Sequence, residues 1–246
     1  MSAGAKSPDF STIVERPKQG ATREQLSMLY TRYHLASRYV LGKDVLEVGC
    51  GTGIGLGLLA ARAASVVGGD IEEENSRIAR ETYCGGPRIT IRQLDAESLS
   101  FPDLSFDLVI LFEALYYLAR PDRFFLEARR VLRPGGVLLI STVNCKWTGF
   151  NPSPFSTGYF EVRDLAEALS RQGFDVSILV GFPDDAGGVI RACVGVIRRI
   201  AVRLHLIPMT MRGKEWLKRL FYGRLTPIPR QLTEGMSIRR TCGAIG

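Results

Sequence analysis

The sequence predicts an α/β fold: an open, mainly parallel, doubly wound sheet with helices on both faces. Three observations carry that prediction. Short apolar runs alternate with stretches of helical period over about 140 residues. A cluster of glycines separates the first apolar run from the first helix-forming stretch, the strand–loop–helix order of a ligand-binding turn. The 246 residues are 46% hydrophobic and 23% charged, a composition that buries a core and is unlike a disordered chain or a disulfide-held miniprotein. At this length one large domain, or one domain with an appendage, is expected.

Taken in order, residues 1–21 are polar, with Pro8 and Pro17 and no apolar segment behind a basic start. They read as a flexible leader and not as a signal peptide. Over Thr22 to Leu41, the residues Leu26, Leu29, Tyr30, Tyr33 and Val40 recur at roughly helical intervals, and Thr22 with Gln25 makes a capping box. Asp44 to Gly49 is then a short strand running into glycines, and Leu56 to Ala64 a helix. The pattern repeats with a strand at Ser65 to Gly69, a helix at Glu73 to Tyr83, and strands at Arg88 to Leu94 and Phe106 to Phe112. Arg120 to Leu132 is a helix stopped by Arg133-Pro-Gly-Gly. Val137 to Thr142, nearly all apolar, suits a strand buried on both faces. Leu165 to Gln172 and Phe174 to Val180 supply one more helix and strand.

Beyond Gly181 the texture changes. A loop at Asp184-Asp-Ala-Gly-Gly leads to a basic amphipathic helix, Pro208, a Lys214 to Phe221 helix and a turn at Pro227 and Pro229. The organisation read from this is a leader (1–21), a core domain (22–182) and a basic helical appendage (183–246). The net charge of +7 resides in that appendage: from Arg198 to Gly246 eleven basic residues face two acidic ones. The basic, partly apolar run at 190–221 suits peripheral contact with an anionic membrane surface, with solvated helix faces as the plain alternative. No nucleic-acid-reading module is visible, so nucleic acid is not an expected partner. The five cysteines have no zinc spacing and an odd total, so neither a metal site nor a disulfide frame is expected, and a reducing cytoplasm fits. The most apolar long stretch, Val189 to Leu206, is broken by four arginines, so no spanning helix is expected. The expected location is cytoplasmic, including the inner face of the membrane.

The strongest motif is Glu47-Val-Gly-Cys-Gly-Thr-Gly, which places Gly49, Gly51 and Gly53 between strand and helix. Glycines there let the backbone turn sharply and bring its amides against a ligand. Ile54 breaks the nicotinamide fingerprint GxGxxG, and the Lys-Ser/Thr pair of a phosphate loop is missing. Glu47 would repel a nearby pyrophosphate but suits a ligand carrying ammonium or sulfonium charge.

Val45 to Gly55 resembles motif I of the class I S-adenosylmethionine-dependent methyltransferases. The resemblance continues through Asp70, Asp95-Ala96, Phe106-Asp107 and Arg130-Val-Leu-Arg-Pro-Gly-Gly-Val-Leu-Leu-Ile. It implies a Rossmann-like, seven-stranded, mainly parallel sheet and S-adenosyl-L-methionine as cofactor. It also implies that Asp70, with Ile71, serves the ribose, and that Asp95 and Ala96, with Leu94, serve the adenine. Tyr33, Glu47, Gly49, Cys50, Gly51, Gly53 and Phe112 complete the expected cofactor contacts. Arg133 to Gly136 reads as structural.

Methyl transfer is an in-line displacement in which holding the partners together supplies much of the rate, and a base is needed where the acceptor is a hydroxyl. Many relatives carry a histidine at the position of Tyr117, which this chain lacks. The candidates for catalysis are Glu113, Tyr117 and, on the N-terminal helix, His34, with Tyr116 beside them and His205 in the appendage. The aromatic, proline-rich run from Asn144 to Tyr159 reads as a substrate-side loop, with Asn144, Phe155 and Tyr159 as contacts, or else as ordinary loop packing. It resembles sugar- and polysaccharide-associated members of the family. The expected acceptor is therefore a small molecule, a hydroxyl of a sugar or nucleotide-linked sugar. A lipid-like or secondary-metabolite acceptor (O, N or C), or a catalytically silent cofactor-binding interaction protein, are the alternatives.

Overall fold

The computed structural model describes residues 14–86, 88–147, 150, 152–153, 155–181, 225–233 and 243–244. Five parallel strands form its sheet: β1 (Asp44–Val48), β2 (Ser65–Asp70), β3 (Ile89–Gln93), β4 (Phe106–Phe112) and β5 (Leu132–Ser141). Their spatial order is β3-β2-β1-β4-β5. The chain builds outward from β1 in one direction and then returns to add β4 on its other side, with Val45 to Val48 beside Leu108 to Leu111. That reversal opens a crevice between the carboxyl ends of β1 and β4, the place where sheets of this kind bind ligands.

Helices α1 (Arg23–Ala36), α2 (Leu56–Ala60), α3 (Glu73–Thr82), α4 (Pro121–Val131) and α5 (Val162–Arg171) flank the sheet. The capping box forms as expected: Thr22 accepts from the Gln25 amide, and Gln25 accepts from the Thr22 amide. Pro121 opens α4, where its missing N–H costs nothing. Alternation along the buried strands divides the core in two. Val45, Leu108, Ile110 and Phe112 pack with Tyr33, Leu56 and Leu59 on one face. Leu46, Val109 and Leu111 pack with Phe124, Phe125 and Val131 on the other.

The described residues depart from two expectations. The sheet has five strands among the described residues, not seven. Of the run Phe174 to Val180 only Leu179–Val180 is a strand, and it pairs antiparallel with Gly243–Ala244 outside the main sheet. Phe174 and Val176 pack against the second core layer with their side chains while the intervening backbone makes no ladder. Second, Arg133-Pro-Gly-Gly does not precede β5 but lies within it. Phe106 pairs with Leu132 and Leu108 with Val137, so residues 133–136 loop out of register around Gly135 at φ +75°. The division into a leader (1–21), a core domain (22–182) and a basic appendage (183–246) stays an expectation, since most of both end segments lies outside the described residues. Gly20–Ala21 pairs antiparallel with Thr226–Pro227, and Ile228 and Leu232 are buried beside α1. The 190–221 run and His205 lie outside the described residues. No helix among the described residues is long and apolar enough to cross a membrane.

Candidate functional site

The glycine loop follows β1 with Gly49, Gly51 and Gly53 all left-handed, at φ +67°, +56° and +75°. A side chain at Gly49 would also meet Ala114 at 2.9 Å. The predicted role of these glycines in turning the backbone is therefore a requirement of this geometry. Gly55, which the sequence argument did not single out, allows the closest approach: a Cβ there would overlap the Tyr33 ring. Tyr83, also unforeseen, holds the loop from outside by donating to the Gly53 carbonyl at 2.7 Å and accepting from the Gly57 amide at 3.1 Å.

Asp70, at the end of β2, is brought directly onto the loop. Its Oδ2 accepts from the Gly51 amide at 2.8 Å, and its Oδ1 from the Glu72 amide and the Asn75 side chain, both at 3.0 Å. Burial pushes its carboxyl above the usual range, partly opposed by those three bonds. Cys50 is buried in the loop, where desolvation pushes its thiol up and keeps it from ionising. Leu94 fills the space left by Gly69 at the head of β3, and Ala96 is buried next to it. Ile71 and Asp95 are exposed; Asp95 accepts from the Glu97 amide at 2.8 Å in a local turn.

Glu47 points toward α1, as its place in the strand alternation requires, and is 1% exposed. Tyr33 donates its hydroxyl to Glu47 Oε1 at 2.5 Å, and Oε2 is buried without a partner. Burial raises the Glu47 carboxyl to about 7, against the opposing pull of the Tyr33 bond and of Arg32. The Tyr33 phenol is pushed well above its usual value, first by burial and then by Glu47. Arg32, one residue before Tyr33, has its Nε buried and unpaired as well. Phe112 meets the Tyr33 ring edge-to-face at 5.3 Å.

Arg32 is the residue the sequence argument missed. Its Nη1 pairs with Glu113 at 3.2 Å, bringing α1 to the carboxyl end of β4. Glu113 itself has a left-handed backbone, φ +51°, unusual for a residue with a side chain. It is held by four contacts: its amide donates to the Ser141 carbonyl at 2.8 Å, and Arg32, the Ser141 hydroxyl (3.0 Å) and the Tyr116 hydroxyl (3.3 Å) reach its carboxylate. His34 instead stacks on Tyr30, with ring centroids 5.9 Å apart, near the end of α1. It is Arg32, and not His34, that α1 contributes to the Glu113 cluster.

The Asn144–Tyr159 loop is strapped onto the turn that follows β4. The Tyr117 hydroxyl bonds Ser153 Oγ at 2.5 Å, the Ser153 amide donates to Tyr159 OH at 2.7 Å, and Thr157 donates to the carbonyls of Tyr116 and Leu118. Tyr159 stacks on Tyr116 at 5.0 Å and receives Phe150 edge-on at 4.8 Å. Burial pushes both the Tyr116 and Tyr117 phenols up, so neither is a ready phenolate near neutral pH. Phe155 is exposed with φ +65°, and Asn144 is exposed and caps a local turn at Lys146. Tyr117 and Tyr159 are thus brought together with Glu113, while Asn144 and Phe155 stand at the loop's surface. No group of metal-ligating side chains exists among the described residues.

A parallel sheet of this order, with a left-handed glycine loop and acids at the carboxyl ends of its first two strands, defines a class I methyltransferase fold. Residues 46–140 match the family model of a methyltransferase domain. Over 161 residues the chain is 37% identical to a "Probable S-adenosylmethionine-dependent methyltransferase" of Mycolicibacterium smegmatis, covering 63% of this chain and 61% of that protein. It is 36% identical over 104 residues to the ubiquinone biosynthesis O-methyltransferase of Sinorhizobium medicae, 42% of each chain. A solved S-adenosylmethionine-dependent methyltransferase from Mesorhizobium loti shares the fold, with a TM-score of 0.55, 23% identity and coverage of 70% of this chain and 92% of that one. The chain spans less than two thirds of the length of these curated relatives.

Proposed function

We propose that this chain is an S-adenosylmethionine-dependent methyltransferase acting on a small-molecule acceptor. The observation that carries the reading is the unpaired, buried Glu47 Oε2 beside the glycine loop. A buried acceptor without a donor costs stability, and a cationic ligand removes that cost. Arg32 Nε is a buried donor without an acceptor on the same side of the site. Together they fit the two ends of an amino acid, Glu47 taking an ammonium and Arg32 a carboxylate. Asp70 is positioned to meet ribose hydroxyls, and Ala96 with Leu94 to line an adenine. When bound, S-adenosylmethionine supplies an electrophilic methyl group on a sulfonium. The protein's residues bind and orient the partners and exclude water, which is most of what such a displacement asks.

The acceptor class we favour is a hydroxyl of a saccharide-type molecule. Supporting it are the aromatic cluster of Tyr116, Tyr159 and Phe150 and the hydroxyl-bearing Ser153 and Ser141, which meets Glu113 through Tyr116 and Ser141. Aromatic faces and hydroxyl partners suit sugar rings. Glu113 is the group we assign to accept the hydroxyl proton, with Arg32 paired to its carboxylate at 3.2 Å and fixing its place. The test is transfer of a labelled methyl group to parallel panels of sugars, nucleotide-linked sugars and phenols. Transfer to the saccharide panels is expected. Transfer confined to phenols overturns the acceptor class, and cofactor binding without transfer to any panel overturns the enzymatic reading.

A further inference from the structure

Residues 14–21 and 225–233 come from distant parts of the chain, lie outside the matched segment, and join edge to edge. Besides the pairing of Gly20–Ala21 with Thr226–Pro227, the Lys18 amide donates to the Ile228 carbonyl at 2.9 Å, and the Ile228 amide to the Gln19 carbonyl at 2.8 Å. Together they contact the glycine loop and the start of α2 at successive positions. A Cβ at Gly51 would lie 2.9 Å from Val14, and Thr52 Oγ1 donates to the Glu15 carbonyl at 3.2 Å. The Leu232 amide donates to the Ile54 carbonyl at 2.9 Å, and Gln231 Oε1 is the nearest atom to a Cβ built at Gly57. Ile228 and Leu232 are buried in the layer that holds Tyr33, Cys50 and Ile54.

We propose that residues 225–233, clasped to 14–21, are a positioning element for the cofactor site that holds Gly51 to Gly57 in its binding conformation. The inference rests on the cofactor reading above. Its physical ground is the composition of the loop. Three left-handed glycines leave a free loop many conformations, and ordering them on binding is costly. A loop already held by its neighbours binds more tightly because that ordering is done in advance. Coupling of this kind is reciprocal: if the clasp favours the cofactor, the cofactor favours the clasp.

Hydrogen exchange of the full chain, with and without saturating S-adenosylhomocysteine, tests the reciprocity. Peptides covering 225–233 are expected to exchange at least about threefold more slowly with the ligand, alongside those of the glycine loop. Unchanged exchange at 225–233 while the glycine loop becomes protected overturns the proposal and leaves the cofactor reading standing. If the wild-type protein shows no binding, both fall. A second arm measures affinity for the same ligand. The double substitution Ile228→Ala with Leu232→Ala is expected to weaken binding about five- to tenfold, and Leu232→Ile with Ile228 intact to restore most of it. Leu165→Ala, in the opposite core layer, serves as the control for general destabilisation and is expected to leave affinity within twofold. Thr52→Val, which removes only the hydroxyl donated to Glu15, is expected to weaken binding two- to threefold. Wild-type affinity in both Thr52→Val and the double variant contradicts the clasp.

Discussion

Strand β1 carries an acid near each end, and the two sit in opposite environments. Asp44, at the amino end, has both oxygens paired: Oδ1 with Ser65 at 2.7 Å and Oδ2 with Arg133 at 2.9 Å. Arg133 also reaches Asp107 at 2.9 Å, and Asp107 accepts from the Asp44 amide. The hydroxyl of Ser65 and the guanidinium of Arg133 hold the Asp44 carboxyl below its usual range. Glu47, three residues on, has one oxygen on Tyr33 and one on nothing, and burial lifts it to about 7. The amino end of the sheet is thus built for stability. Its carboxyl end keeps an unmet need that folding alone does not explain.

The largest expected effect separates these ends at Asp70. Replacing it by alanine removes the three bonds that tie Gly51, Glu72 and Asn75 together, each of the charge-assisted kind worth about 1.5–3 kcal/mol. Affinity for S-adenosylhomocysteine is expected to fall more than tenfold by calorimetry. Unchanged affinity counts against the ribose role.

Next comes the pH dependence of stability, which has opposite signs at the two ends of β1. Glu47 has a folded value raised from 4.5 to about 7. Its carboxyl therefore contributes stability below about pH 4.5, which is lost as pH rises toward and through 7, about 3 kcal/mol in all. Glu47→Gln, free of this penalty, is expected to raise the unfolding free energy by up to that amount at pH 8 and by little at pH 4. Asp44 has a lowered folded value, so its contribution is present above its unfolded value and disappears as pH falls through the folded one. Asp44→Asn is expected to cost about 0.5–1 kcal/mol at pH 7, because the pair is partly screened by solvent, and progressively less as pH falls through the lowered folded value. Urea unfolding at each pH reads both; the same sign at both sites would break the comparison.

A smaller effect is expected where α1 meets β4. Glu113→Gln breaks the pair with Arg32 and is expected to cost about 1 kcal/mol of stability and to lower turnover while leaving cofactor affinity within twofold. Smallest is Tyr117→Phe, which removes the bond to Ser153 and is expected to cost about 0.5–1 kcal/mol. A collapse of cofactor affinity in Tyr117→Phe would place that residue at the cofactor and not in the loop anchor.

The elements of this fold that repeat locally were readable from the chain. The apolar runs at Val45, Val66 and Leu108, the glycines after Glu47, and the Thr22/Gln25 cap each announce themselves within a few residues. What joins distant segments did not. Arg32 lies on a helix beside apolar neighbours, and a basic residue there reads as solvated until Glu113 is brought up to it by the sheet. The pairing of Gly20–Ala21 with Thr226–Pro227 spans two residues on each side, one of them proline, too short for any periodicity to register. Arg133-Pro-Gly-Gly reads as a helix stop because Pro and Gly end helices, yet the loop-out inside β5 lets Arg133 reach Asp44 and Asp107. The strand expected over Phe174 to Val180 has the right alternation, but alternation alone does not supply a neighbour with which to pair.

The central claim is that Glu47 waits for a positive charge. Burial favours the protonated carboxyl on the acid side of about 7, and contact with a ligand ammonium lowers it, so binding of S-adenosylhomocysteine at pH 6 is expected to release a proton. Calorimetry at pH 6 in two buffers of different ionisation enthalpy measures that release directly. The account predicts proton release at pH 6, falling toward zero by pH 8.5, and none at either pH in Glu47→Gln. Binding without proton release at pH 6, or release that persists in Glu47→Gln, would contradict it.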